Sequence, residues 1–338
     1  MMDITTVIID SGSGFCKSGL VGDSFPASVI PSVVGTSKAK GCTREAGHKL
    51  WRHVYSFELH IKSKERPVLM TAAPLTPFRN REKMAEIMFE GFNVPAMYIA
   101  IPGTLALYAS GRTRGIVLDS GSGITDAVPI YEGYYLPDAV KRLKLAGNDI
   151  TEHVRRLLLE NGHNFSTTIH KEIFENIKET LCYIALDPKV ENKKNVEDIQ
   201  QEYTLPDGNV TMIQKELFRA PESLFTPVNM GLEEPGIHKL ICNSILKFDK
   251  VLRRDLFSNI LLSGGCTLFP GLEERLLKEI KLQTPSGVQV KVIAPPNRNY
   301  SVWMGASILT SLTAFKDMWV TANDYRECGP AIINKRCF

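Results

Sequence analysis

The chain contains no apolar run approaching the roughly 20 residues that cross a bilayer, and its opening, Met-Met-Asp-Ile-Thr, has neither a charged n-region nor an h-region of leader length. No membrane segment is expected. Its 7 cysteines (Cys16, Cys42, Cys182, Cys242, Cys266, Cys328 and Cys337) are scattered singly, odd in number and without a C-x-x-C pair, which excludes a sequence-encoded zinc site or disulfide framework. Reduced thiols in a cytoplasmic or nuclear protein follow. The 7 histidines show no ligand spacing with carboxylates or cysteines. An excess of one charge is also missing. The formal net charge is +3, and the basic stretches 52–66, 141–144 and 189–194 are interrupted by acids or apolar residues, so neither nucleic acid nor a membrane surface is an expected partner. With 43% apolar and 23% charged residues the composition is that of a folded chain, and 338 residues exceed what one core usually holds. Two domains are expected.

What the chain does contain is a repeated pentapeptide. Asp-Ser-Gly-Ser-Gly occurs at Asp10–Gly14 and again at Asp119–Gly123, each time closing a β-branched run, Thr6-Val7-Ile8-Ile9 and Gly115-Ile116-Val117-Leu118. Short apolar runs bounded by a turn signal read as buried strands. A Gly-Ser-Gly turn then lets backbone N–H groups point at an anion. One copy alone is a common strand-ending turn; two in the same context read as a duplicated phosphate clamp, with Asp10 and Asp119 placed to hold waters around a hydrated cation.

Strands are expected at 7–10, 15–20, 27–31, 67–71 and 95–101, with helices over 51–61, from a cap at Asn80, and through 105–110. Ser32–Lys49 reads as loop. The strand pattern restarts at Gly115, and strand, DSGSG, strand (Thr125–Ile130) and hairpin (Glu132-Gly133-Tyr134) repeat the N-terminal order, as an internal duplication would. Ile150, Val154, Leu157 and Leu158 mark one helix; Ile173, Ile177, Leu181 and Ile184 mark another. Residues 189–201 read as a surface loop, 260–263 as a strand before a glycine turn and a helix from about Gly271, and 302–312 as a closely packed buried helix.

These stretches resemble the actin family throughout the chain. The resemblance rests on DSGSGFCKSGLVGD (Asp10–Asp23), RNREKMAEIMFEGFNVPAMY (Arg79–Tyr98), LYASGRTRGIVLDSGSG (Leu107–Gly123), VPIYEGYYLP (Val128–Pro137), IKETLCYIAL (Ile177–Leu186), LPDGNV (Leu205–Val210), LLSGGCTLFPGLEERL (Leu261–Leu276), IAPPNRNYSVWMGASIL (Ile293–Leu309) and KRCF (Lys335–Phe338). ITEHVRRLLLENG and LFPGLEERLLKEI look most like the testis-type actin-related proteins. The resemblance implies the α/β two-domain fold of actin, Hsp70-type ATPases and sugar kinases, with a nucleotide cleft. One domain would be 1–109 with 301–338, the other 110–300, of which 146–232 form the outer part. It also implies ATP or ADP with Mg2+ (or Ca2+) as cofactor. Ser13, Gly14, Phe15 and Lys17 would form the first phosphate loop, and Gly121, Ser122, Gly123 and Ile124 the second. Asp10 and Asp119 would hold the metal through water. Gly147, Lys178, Glu179, Gly264, Gly265, Leu268 and Phe269 would surround ribose and adenine. On spacing alone, Lys178 is a partner for Glu175 on a solvated face, and only the resemblance moves it to the nucleotide.

The departures matter as much. Where the family has an acid, a histidine and a glutamine that organise the attacking water, this chain has Ser122, Asp126 and Pro102; Ser11 and Asn299 also replace nucleotide-binding residues of the family. Asp126 is expected to set a negative charge beside an anionic phosphate. Between the strand ending near Pro31 and the helix of Trp51 the family builds a small lobe with a filament-inserting loop, and residues 32–49 are too short for it. The partner groove of the family is matched by Tyr108, Gly111, Thr113, Tyr131, Gly133, Tyr134, Ile308, Leu309, Leu312 and Met318, although Leu309 and Leu312 also read as ordinary core. The resulting expectation is a cytoskeletal scaffold, cytoplasmic or nuclear, that binds nucleotide with weak or no hydrolysis, polymerises poorly and meets actin-binding proteins or actin itself. A working ATPase or phosphotransferase, and a chain that has lost its nucleotide, stay open as alternatives.

Overall fold

The structure is a computed structural model that describes residues 5–34, 44–163 and 171–337. The chain divides into two compact units, one formed by residues 1–117, 128–138 and 295–338, the other by 118–127 and 139–294.

In the first unit the apolar N-terminal run becomes β1 (Val7–Ser11), whose Val7, Ile8 and Ile9 are fully buried. It turns back antiparallel into β2 (Phe15–Leu20) and on to β3 (Ser28–Pro31). After α1 (Arg44–His53), the chain contributes β4 (Val68–Thr71), α2 (Phe78–Glu86), β5 (Ala96–Ala100) and α3 (Pro102–Ala109). Strands β1, β4 and β5 run parallel, so their carboxyl ends lie on one edge of the sheet, which has the order β14-β5-β4-β1-β2-β3 with β14 at Val320–Thr321. The helix Ser301–Ser311 packs on α3 at very short range: a Cβ on Gly305 would lie 1.8 Å from the Leu105 carbonyl oxygen. Glycine is required there by approach rather than by dihedral angle.

The second sheet has the order β13-β12-β6-β7-β8, with β6 at Gly115–Ser120, β7 at Thr125–Tyr131, β8 at Tyr134–Tyr135, β12 at Ile260–Ser263 and β13 at Val292–Ile293; β9 (Lys141–Leu143) pairs with β7. The turn before β8 has positive φ at both Glu132 (50°) and Gly133 (84°), the pairing a tight hairpin turn with right-handed strand twist demands. Beyond it, α4 (Gly147–Glu160) buries Ile150, Val154, Leu157 and Leu158, and α5 (Lys171–Thr180) buries Phe174 and Ile177. β10 (Gln201–Thr204) and β11 (Val210–Ile213) form a separate antiparallel pair. Mixed α/β sheets of this kind carry the expected fold class.

Several boundaries differ from the sequence reading. The helix expected at 51–61 begins at Arg44 and ends in a π-helical turn, Val54–Glu58, so the loop assigned to 32–49 is helical at its end; residues 35–43 lie outside the described part. Asn80 sits inside α2, which starts after Pro77. Leu181 and Ile184 lie beyond α5. The polar stretch 189–201 is not one loop but holds short helices, Pro188–Glu191 capped by the Asp187 carboxylate and Val196–Ile199, the second burying Ile199 against Ala185 and Phe218. One apolar side chain in a charged segment was enough to fold it inward. Among the described residues the cysteines form no disulfide, and no helix is long and apolar enough to cross a membrane.

Candidate functional site

Each DSGSG copy sits where a strand meets its turn, and each closes in the same way. In the first, the Gly12 amide donates to the Phe15 carbonyl at 3.0 Å; in the second, Gly121 donates to Ile124 at 3.2 Å. The closing bond joins equivalent positions. It leaves the amides of Ser13 and Gly14, and of Ser122 and Gly123, with no backbone acceptor among the described residues. Consecutive unpaired N–H groups at a strand-to-turn junction form an anion-binding concavity.

Around the first loop the side chains are tied down. Asp10, buried at the end of β1, accepts from Thr71 Oγ1 at 2.8 Å, and Lys17, opposite it in the hairpin register, brings Nζ to 3.4 Å of Oδ2. Thr71 ends β4, the parallel neighbour of β1, so carboxylate and hydroxyl meet at the carboxyl edge of the sheet, the usual ligand edge of open α/β sheets. Ser11 Oγ accepts from Trp51 Nε1 at 3.0 Å, and Ser32 holds the loop through Gly12 O and Gly14 O at 2.7 and 2.8 Å. Phe15 is exposed. Sequence reasoning missed Thr71, Trp51 and Ser32. The first was open to inference from the parallel pairing of two strands ending in polar residues; the others come from loop geometry that no spacing encodes.

The second loop belongs to the other unit and gathers more of the expected residues. Gly147 N donates to Gly121 O at 3.0 Å and Asn148 N to Ser122 O at 2.8 Å, so the amino end of α4 is pinned on the loop. A Cβ on Gly147 would lie 3.2 Å from Gly121 O and 3.7 Å from Lys178 Nζ. Lys178 is not on a solvated face: it is 9% exposed, donates to Thr151 Oγ1 at 3.0 Å and to Gly147 O at 3.4 Å, and Glu175 pairs with Lys171 instead. Gly264, at φ 85°, has room for no side chain, since a Cβ would meet Ser120 O at 2.3 Å and Asp119 Oδ1 at 2.9 Å. Gly265 and Leu268 bound the following 3-10 turn, Phe269 is buried, and Glu179 lies near Lys178 Nζ at 3.7 Å on an exposed side chain. Gly121, Ser122, Gly147, Lys178, Gly264 and Asp119 therefore share one neighbourhood. Beneath it, Ser120 and Thr125 hydroxyls lie 2.7 Å apart, and Thr125 donates to Leu145 O at 2.8 Å. Burial pushes the Cys266 thiol up to about 11, which keeps it protonated under this floor.

The sequence model of the Actin family matches residues 42–338. The chain belongs to the actin family. Proteins of the family generally bind ATP or ADP with a divalent cation and work in cytoskeletal assemblies. The first DSGSG copy lies ahead of the matched span, and its closure, identical in kind to that of the second, is what relates it to the same fold.

Against the actin family, Pro102 occupies the first turn of α3 and brings no side-chain donor or acceptor. Asp126 corrects an expectation. It is 3% exposed and gripped by a fork: Arg142 Nε donates to Oδ1 at 2.7 Å and a terminal nitrogen to Oδ2 at 2.8 Å. Burial raises the carboxyl above its ordinary range, and Arg142 opposes that, its own guanidinium made still more basic by the carboxylate. Asp126 presents no bare negative charge; the bidentate pair is neutral as a whole. Among the described residues no cluster of three or more His, Cys, Asp or Glu is arranged for direct metal binding, and Asp10 and Asp119 are single carboxylates suited to contact a cation through its waters.

The residues expected to line a partner groove all belong to the first unit. Tyr108 Oη donates to Gly133 O at 3.5 Å, a Cβ on Gly133 would fall 2.4 Å from that hydroxyl, and Gly133 N donates to Thr113 O at 2.8 Å. Gly111 takes φ 71° to end α3. α3 packs against both β8 and the helix Ser301–Ser311. Tyr131, Tyr134, Ile308 and Leu312 are exposed, and Leu309 and Met318 are half-buried, so neither leucine is core. Arg114 lies over the Tyr131 ring at 4.8 Å.

Proposed function

We propose that this actin-family chain binds ATP or ADP with Mg2+ (or Ca2+) as a structural ligand and acts as a cytoskeletal scaffold through protein partners, with little turnover. The observation that carries this reading is the matched closure of two loops, each leaving its Ser-Gly amides unused beside a strand-end aspartate. Ser13, Gly14, Phe15 and Lys17 would serve the phosphates from one loop and Gly121, Ser122, Gly123 and Ile124 from the other. Gly264, where any Cβ would strike Ser120 O, lets the turn after β12 close against the end of β6, and its backbone would border the nucleotide. When bound, the cation would neutralise phosphate charge; the protein's part is to hold its waters at Asp10 and Asp119. Gly147, Lys178, Glu179, Gly265, Leu268 and Phe269 would take ribose and base.

The residues that organise hydrolytic water in the family are replaced by Pro102, Ser122 and Asp126, and the span between β3 and α1 is short for the family's small lobe. We therefore read the chain as impaired in self-polymerisation; on ITEHVRRLLLENG and LFPGLEERLLKEI we read it as testis-type in character, with its two domains at 1–109 plus 301–338 and at 110–300, and as cytoplasmic or nuclear. Its partners would be actin or actin-binding proteins docking on the exposed Tyr131, Tyr134, Ile308 and Leu312.

Thermal unfolding with and without Mg·ATP tests the reading. A ligand bound only by the folded chain stabilises it by about 2.7 kcal/mol at a hundredfold excess over Kd, a Tm rise of about 4 °C for a chain of 338 residues. Asp10→Ala and Asp119→Ala should remove the rise. An unchanged Tm in millimolar Mg·ATP would defeat the proposal.

A further inference from the structure

Four adjacent strands of the first sheet bring a row of unlike groups to one level at its carboxyl edge. Asp10 stands opposite Lys17 in the β1–β2 register. The parallel register of β1 with β4 pairs Ile9 with Met70, so Asp10 and Thr71 take the next step together, and Thr71 stands opposite Ala100 on β5. Along the row the side chains run ammonium, carboxylate, hydroxyl, methyl. We propose that Thr71 is a positioning residue that sets the cation preference of the nucleotide site: by holding Asp10 it makes the carboxylate an acceptor for the waters of a hydrated magnesium ion and withholds it from direct coordination of calcium. This role rests on the nucleotide reading above and adds to it the residue that discriminates between the two cations.

The grip on Asp10 is closed on both flanks. Thr71 is 4% exposed, and its hydroxyl donates to Asp10 Oδ1 at 2.8 Å. Ala100 brings no polar side-chain atom, so the row offers that hydroxyl no other acceptor. On the opposite flank Lys17 Nζ lies 3.4 Å from Oδ2. Cys16, beside Lys17, adds no charge, because burial pushes its thiol up to about 11. An ionised carboxylate has about four acceptor sites, two on each oxygen; one on each is taken by these neighbours, and turning the group would break a bond.

Calcium and magnesium respond differently to a carboxylate held in this way. Calcium takes carboxylate oxygens directly, often both at once, and tolerates irregular geometry, whereas magnesium gives up its waters reluctantly. A calcium ion on Oδ2 would share that oxygen with the Lys17 ammonium, and two cations at such range repel. Oδ1, to which Lys17 makes no bond, is the oxygen that calcium could take, and it is the one Thr71 occupies. A hydrated ion avoids both obstacles, since a water between metal and carboxylate needs only one open acceptor site at a fixed position. Without the Thr71 hydroxyl, Oδ1 would lose its neighbour and the carboxylate could swing to meet calcium directly.

Calorimetric titration of the nucleotide-free protein with Mg·ATP and, separately, with Ca·ATP tests this, the readout being the ratio of two dissociation constants rather than turnover. Thr71→Val keeps the side chain's shape and removes the hydroxyl. It should weaken Mg·ATP about tenfold, as loss of a bond that orients a ligand does, and leave Ca·ATP within about twofold of the wild type. Thr71→Ser keeps the hydroxyl and should reproduce the wild-type ratio. Thr71→Ala removes the hydroxyl without added bulk and should repeat the valine result, which covers the case of a valine protein that does not fold. A wild type that binds neither complex would overturn the nucleotide reading and this role with it. Where the wild type binds both, equal losses for the two complexes in Thr71→Val and Thr71→Ala, no loss in either, or the same shift of the ratio in Thr71→Ser would overturn the role of Thr71 and leave the nucleotide reading standing.

Discussion

Lowering the pH from 7 to 5 should destabilise the second unit through two histidines. His153 and His238 are buried, each has an Nδ1 without a hydrogen-bond partner, and burial holds both pKa values at about 4. His238 is stacked on the Phe225 ring at 5.7 Å; burial is what lowers its pKa, Glu279 works against that, and the nearby Lys239 and Arg275 add to it. A histidine with a folded pKa below its unfolded value of about 6.5 binds protons first in the unfolded chain, so its stabilising contribution is present above pH 6.5 and is lost as pH falls towards 4. At pH 5 each ring favours the unfolded chain by about 30-fold, about 2 kcal/mol, and the two together by about 4 kcal/mol. The carboxylates held below their usual range, Glu58, Glu152, Asp187 and Asp324, act in the opposite window: their stabilisation persists down to about pH 4 and is lost only below it. Between pH 5 and 7 those carboxylates change little, whereas Asp126 and Glu222, raised by burial, take up protons in the folded chain and offset part of the histidine loss. Urea unfolding at both pH values, with hydrogen exchange of α4 and the helix Ile237–Ile245 as local readout, should show this loss in the wild type and little of it in the His153→Gln, His238→Gln double variant. Equal losses in both proteins, or imidazole resonances titrating near 6.5, would refute the reasoning.

Two further outcomes concern turnover and assembly. Single-turnover hydrolysis of bound ATP should be orders of magnitude slower than in polymerised actin, because Pro102 offers no polar side-chain atom and Ser122 is a poor base; each tenfold loss corresponds to about 1.4 kcal/mol of barrier, and a rate equal to that of polymerised actin would show these replacements to be harmless. In polymerising salt the pure protein should stay in the supernatant on sedimentation, since the span between β3 and α1 is short for the family's inserting lobe; a filamentous pellet would contradict that.

Strand positions were legible because burial and turn chemistry coincide. Val7–Ile9 and Ile116–Leu118 are apolar on both faces and stop at Gly-Ser-Gly turns, and both became buried strands. Helix ends were less legible. α1 begins within a stretch of small and polar residues and closes on a π turn, neither of which alters the apolar spacing. Gly147, Gly264 and Lys178 were named from resemblance, and the physical reasons appear only in three dimensions: two short backbone approaches and an ammonium turned inward onto Thr151. Arg142 could not be seen at all. It lies on β9, sixteen residues from Asp126 in sequence, and meets it only because β9 pairs with β7 in the register that sets the two opposite each other.

That register changes the meaning of the Asp126 replacement. A lone carboxylate at this depth would repel a phosphate and would be forced towards protonation by burial. A carboxylate held by both arms of an arginine does neither; it ties β7 to β9 immediately before the Leu145 carbonyl that supports Thr125 and the loop above it. Removing Arg142 alone would leave an uncompensated buried charge, the costly half of breaking such a pair. The substitution thus withdraws a group that could handle a proton and substitutes a brace under the second DSGSG loop. On the function proposed above, a loop held firm while the family's proton-handling groups are replaced would suit keeping a nucleotide better than consuming it.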